Sequence, residues 1–161
     1  MKHASNILSI LASVDKVCSA GYAMALHISF ATPRFLFQTY DREWMAYYSQ
    51  NGLVMKDPTV RWGFENTGHI LWSDLSHLDT DNVLVTARKY GIHHGFTVST
   101  GVQSSRSISS FARGGREFTP GEIAQICEMA EQLHLETADL KDLSAKDRDE
   151  LKKISIEFTH G

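Results

Sequence analysis

Tyr40, Trp44 and Tyr48 recur at intervals of four, and Asp57-Pro58 and then Trp72 follow them. On a helix that interval stacks side chains one turn apart, so Trp44 and Tyr48 are expected to share a face, with Tyr40 just upstream. Trp supplies an N–H donor, Tyr a donor and an acceptor, and ionised Asp only acceptors. Together they would satisfy a small ligand that carries both carbonyl oxygens and an amide N–H. The same residues also have a purely structural reading: the aromatics pack a core, and Asp57 caps a helix whose first residue is Pro58.

Elements that could position these residues follow from the pattern around them. Residues 5–17 carry an apolar stripe of helical period, with Gly21 as a later stop. YAMALHISF and RFLFQTY, broken at Ala31-Thr32-Pro33, read as a strand hairpin. A helix is expected over 41–51 with Asp41 as its cap, and a shorter one over 58–65. Thr80 could cap a helix that buries Val83, Leu84, Ala87 and Tyr90 and stops at Gly91. GFTVST and SRSISSFA read as two more strands around a turn at Gly101, and Thr119-Pro120-Gly121-Glu122 forms a capping box that opens a long helix. Strands in the middle with helices on both sides give an α+β chain arranged as an α-β-α sandwich.

Composition narrows the function classes. The chain has 161 residues, 42% hydrophobic and 22% charged, with a net charge of −3, which suits one ordinary globular domain. No basic run offers itself to a phosphate backbone, so DNA binding by this chain alone is not expected. Cys18 and Cys127 lie far apart without metal or redox spacing and read as reduced thiols of a cytoplasmic protein. No apolar run approaches a membrane span, and MKHASN is not a signal peptide. His93-His94 cannot chelate together from a strand, and the GxSxG elbow and phosphate loop are missing, so no metal or cofactor is expected.

The string Tyr40-x3-Trp44-x3-Tyr48-x8-Asp57-Pro58-x13-Trp72, with Gly91-x3-Gly95 after it, resembles the autoinducer-binding domain of LuxR-type quorum-sensing regulators over roughly residues 5–140. The resemblance implies a central antiparallel sheet of five strands and an N-acyl-homoserine lactone as ligand. It implies Trp44 as indole donor to the lactone carbonyl, Asp57 as acceptor of the amide N–H, and Tyr40 as hydroxyl donor to the acyl carbonyl. Ser109 aligns with a family position whose hydroxyl also reaches a ligand carbonyl, with Ser107 or Ser110 as neighbouring alternatives. Tyr48 and Trp72 would wall the acyl chain and lactone ring, and Leu36, Met45, Val60, Val83, Leu84 and Ala87 would line the tail pocket. Gly95 would permit close approach of neighbouring elements. Ser99 stands where the family often has proline.

The expected organisation is an autoinducer-binding domain over 1–140. A linker and the first helix of a helix-turn-helix domain would occupy 141–161, with Ser144 as cap and Leu151, Ile154 and Phe158 as a narrow stripe. No recognition helix follows within the given sequence. The reading is therefore a ligand-binding sensor domain, not an enzyme, that dimerises with itself. A truncated antiactivator forming heterodimers with a full-length regulator is the alternative, and a lactonase or acylase acting on the same signal is a third.

Overall fold

The computed structural model describes residues 2–30 and 32–138, together with 145, 146 and 149. Its elements run α1 (Lys2–Val17), β1 (Gly21–Ser29), β2 (Thr32–Gln38), α2 (Arg42–Gln50), α3 (Pro58–Glu65), β3 (Gly68–Leu71), α4 (Val83–Ala87), β4 (His94–Thr100), β5 (Arg106–Arg113) and α5 (Pro120–Glu136). All neighbouring strands pair antiparallel in the order β2-β1-β5-β4-β3. This is the α+β sandwich with the five-stranded antiparallel sheet that the sequence implied.

The two faces of the sheet are built from different residues, and that difference makes room for a site. Tyr22, Met24, Phe37, Phe96 and Phe111 point to one side, where they pack with Ile7, Leu11 and Val14 of α1 and Ile126 and Leu133 of α5. Fully burying such a side chain contributes about 1.5–3 kcal/mol, so this face is the core. Strand alternation sends the intervening residues Ala23, Ala25, Thr97, Ser110 and Ala112 to the other side. They are small. Ala23, Ala25 and Ser110 remain half-exposed although they sit in the middle of the sheet, so the layer of α2, α3 and α4 leaves a hollow above them.

Arg113 locks the core side at one end. Its guanidinium makes two bonds to the Glu122 carboxylate, both at 2.9 Å, donates to the Val17 carbonyl, and stacks over Phe118. Helices α1 and α5 and strand β5 are thereby joined. Glu122 also completes the capping box with Thr119 as the sequence predicted, and its guanidinium partners hold its carboxyl well below the usual carboxylate range.

Several boundaries differ from expectation. Helix α1 ends at Val17; Gly21 does not stop it but opens β1 with φ 101°, where a Cβ would stand 2.9 Å from the Tyr40 backbone. Thr80 does not cap α4: the Asp79 carboxylate accepts from the amides of Val83 at 2.7 Å and Leu84 at 3.0 Å. The helix is also shorter, ending at Ala87 before a 3-10 turn over Arg88–Tyr90. Strand β3 has no sequence forecast at all, because its four residues GHIL are too few to show alternation. Of the helix expected after Ser144, residues 145, 146 and 149 are described and are helical, and the rest lies outside the described residues.

Candidate ligand-binding site

Local rules place the first three aromatics. Asp41 caps α2 by accepting from the amides of Glu43 and Trp44, which fixes the helix start so that Trp44 and Tyr48 fall on its inner face. Trp44 is only 5% exposed and packs edge-on against Tyr48, with ring centroids 5.8 Å apart, and against Tyr90 at 5.4 Å. Val83, Ala87 and Ile92 complete this second apolar cluster. Tyr40 lies between β2 and α2, and its hydroxyl donates to the Ser110 carbonyl at 3.3 Å.

Asp57 caps α3, and Pro58 occupies the first turn where its missing N–H costs nothing. Its Oδ1 accepts from the Thr59 amide at 2.8 Å and the Thr59 hydroxyl at 2.7 Å, and its Oδ2 accepts from the Tyr48 hydroxyl at 2.8 Å. A carboxylate offers roughly four acceptor positions, so about one remains open. Burial pushes the Asp57 carboxyl above its ordinary value, against the pull of its Thr59 and Tyr48 hydrogen bonds, and Asp79 adds like-charge repulsion. Tyr48 and Tyr40 are both raised by burial and then by the Asp57 charge, so each keeps its proton to donate.

On the sheet floor, the Trp72 indole N–H donates to Thr97 Oγ1 at 3.0 Å, and Thr97 shares a 2.7 Å bond with the Ser110 hydroxyl. Either hydroxyl can donate in that bond; with Thr97 as donor, the Ser110 proton is free for a carbonyl oxygen above it. Trp72 can lie flat on β4 because residue 95 is glycine: a Cβ there would stand 2.5 Å from the indole ring. Close approach at Gly95 was the role the sequence gave it.

The structure brings Tyr40, Trp44, Tyr48, Asp57 and Trp72 to one side of the sheet. Val83 and Ala87 are buried there, while Leu36, Met45, Val60 and Leu84 are half-buried. Ser109 is placed elsewhere. It is 3% exposed, and its cross-strand neighbours Met24 and Val98 both belong to the core on the α1 and α5 side. Ser107 faces that side too, bonded to His134 of α5. The serine on the hollow is Ser110, one of the two alternatives considered for Ser109. Large Phe111 carried the signal, since it marks the core face and Ser109 shares its parity.

Thr59 and Thr97 were missed by sequence reasoning because each acts through a neighbour. A separate open groove of about 380 Å³ is lined by Asp15, Thr39, Asp41 and Gly91 and shares Tyr90 with the aromatic cluster. Its polar walls do not suit an acyl chain. Among the described residues no group of three or more His, Cys, Asp or Glu could share a metal ion, and no helix is long and apolar enough to cross a membrane.

Comparison with known proteins bears on the family and the fold. Residues 14–138 match the family model of the autoinducer binding domain. The transcriptional activator protein SolR of Ralstonia solanacearum is 28% identical over 110 residues, 68% of this chain and 46% of that protein. SolR of Ralstonia nicotianae is 27% identical over 92 residues, 56% of this chain and 39% of that one. The chain thus spans less than half the length of the curated relatives it matches. Among solved structures, SdiA in complex with octanoyl-rac-glycerol superposes with a TM-score of 0.62 at 17% identity, covering 86% of this chain and 63% of that one. The solution structure of Escherichia coli SdiA 1–171 gives 0.61 at 17% identity, covering 99% and 87%. These likenesses show the same fold. With most of its length matched by the family model, and the aromatic and Asp-Pro residues gathered over one sheet face, the chain belongs to the autoinducer-binding domain family of LuxR-type quorum-sensing regulators.

Proposed function

We propose that this chain is the sensor domain of a LuxR-type transcriptional regulator and that it binds an N-acyl-homoserine lactone in the hollow between the sheet and α2, α3 and α4. The observation that carries the reading is the state of Asp57: a half-buried carboxylate, held by Tyr48 and Thr59, with about one acceptor position unused. The ligand amide N–H fills that position. The acyl carbonyl takes the hydroxyls of Ser110 and Tyr40, the Tyr40 proton turning to it from the Ser110 carbonyl, the lactone carbonyl takes the Trp44 indole, and the acyl tail runs over Ala23, Ala25 and Leu36. Each methylene buried there adds about 0.8 kcal/mol until the space is full.

Binding rather than cleavage is what these residues support. The hydroxyls of Tyr48 and Tyr40 are raised by burial and hold their protons, so neither serves as a nucleophile at neutral pH. The ligand completes an apolar layer that is otherwise half-open, and it stabilises the fold and the homodimer we assign to the domain. A ligand at 100 times its dissociation constant adds about 2.7 kcal/mol. Thermal unfolding against a panel of N-acyl-homoserine lactones of varied tail length tests this. A tail-dependent rise in Tm is expected, and an unchanged Tm with every member, in folded and empty protein, would overturn the assignment.

A further inference from the structure

The small side chains on the hollow's floor end abruptly. Ala23 and Ser110 pair across β1 and β5, and both are half-exposed; two residues along each strand, half-exposed Ala25 stands opposite Ile108. Ile108 is only 7% exposed, although it belongs to neither apolar cluster. Its cover is α3. A Cβ on buried Gly63 would stand 2.7 Å from Ile108 Cδ1 and 2.8 Å from its Cγ1 and Cγ2, so only glycine at 63 lets the helix backbone rest on the isoleucine.

That contact is fastened from the sheet. Ser99, the β4 neighbour of Ile108, donates its hydroxyl to the Gly63 carbonyl at 2.6 Å and so holds α3 down at this row. The next row is filled as well. Ile28 and Arg106 pair there across β1 and β5, at 7% and 8% exposure. The space above Ala23 and Ser110 therefore ends at Ile108 in this direction.

We infer that Ile108, seated beneath Gly63, is the end wall of the hollow and restricts its ligand to a short acyl tail. This rests on reading the hollow as a lactone site with the acyl carbonyl at Ser110. Ser110 and Ile108 lie two residues apart on one face, roughly 7 Å at the usual strand rise. An extended alkyl chain advances about 1.3 Å per carbon at ordinary bond lengths, so a tail of about six carbons, carbonyl included, reaches Ile108. A longer tail is turned across Ala25 and half-buried Leu36 toward the edge strand β2, where its added methylenes meet water.

The test is calorimetric titration of wild type, Ile108→Ala and Ile108→Val with butanoyl-, hexanoyl-, octanoyl-, decanoyl- and dodecanoyl-homoserine lactone. Wild-type affinity is expected to rise about fourfold per methylene to an optimum no longer than octanoyl, and then to fall. Ile108→Ala is expected to move the optimum to a longer tail, by about the three carbons that the substitution deletes. Should Ile108→Ala not fold, Ile108→Val decides: it deletes one carbon and should raise the affinity of the first over-long tail, relative to the optimum, about fourfold. A side chain that only packs α3 on the sheet would leave the length profile where it is. A wild-type optimum at decanoyl or beyond, or a profile that does not lengthen in the folded variants, overturns this inference alone, because lactone still binds. Failure of every lactone to bind wild type overturns the lactone reading and this inference together.

Discussion

The Tyr48 hydroxyl donates to Asp57 Oδ2 at 2.8 Å, joining the inner face of α2 to the first turn of α3. One proton thus ties the aromatic wall to the carboxylate and leaves Oδ2 with about one further acceptor position. Asp57 serves two masters. It caps α3 for the fold and, in the proposed site, accepts an N–H from the ligand, and the two roles respond differently to substitution.

Asp57→Asn should separate them. Because burial raises the Asp57 carboxyl, the folded chain holds that proton more tightly than the unfolded chain does. The group therefore contributes stability only below its unfolded value of about 3.9, and that contribution is lost as pH rises through the folded value. At neutral pH the buried charge costs stability. Asn also caps helices well. The free Asp57→Asn protein is expected to match or exceed wild type in urea unfolding at pH 7, with the difference shrinking as pH falls through the folded value and levelling off below about 4. A loss of more than about 2 kcal/mol at pH 7 would show that the capping and Tyr48 bonds outweigh the buried charge.

Ser109 and Ser110 give a paired test of the sheet faces. Ser110→Ala removes the hydroxyl bonded to Thr97 under the hollow and is expected to weaken lactone binding by about 0.5–1.5 kcal/mol, a factor of about 2 to 13. Ser109→Ala changes a core-side residue and is expected to leave affinity unchanged. Titration of both variants with one lactone decides, and the reverse order would put the strand register in error.

Gly95→Ala should move Trp72. The added Cβ would stand 2.5 Å from the indole, so the ring must lift off β4 and its bond to Thr97 must lengthen or break. Overpacking of this kind typically costs about 1–3 kcal/mol. Denaturant unfolding with tryptophan fluorescence reports both the loss and the changed indole environment, and an unaltered spectrum with unaltered stability would contradict the packing described here.

Much of this was legible in the sequence because local rules decided it. Asp41, Asp57-Pro58 and the Thr119 to Glu122 box act within one helical turn, and their helices begin where the residues say. The interval of four put Trp44 and Tyr48 on one face of α2 for the same reason. What escaped depends on distant partners. Ser109 and Ser110 are equivalent in composition, and only the register with Thr97 and Met24 separates them. Asp79 replaced Thr80 as the cap because its longer side chain reaches back to two amides from outside the helix. His27 sits at φ 54° in a bulge of β1, held by Ser105, Thr137 and the His134 carbonyl, none of which is near it in the chain.

The most direct measurement is calorimetric titration of wild type and Asp57→Asn with the N-acyl-homoserine lactone that raises Tm most. A hydrogen bond to a charged group contributes about 1.5–3 kcal/mol, so the variant is expected to bind about 10 to 150 times more weakly while remaining folded. Equal affinity in the two proteins would show that the ligand amide does not meet Asp57, and would contradict the site.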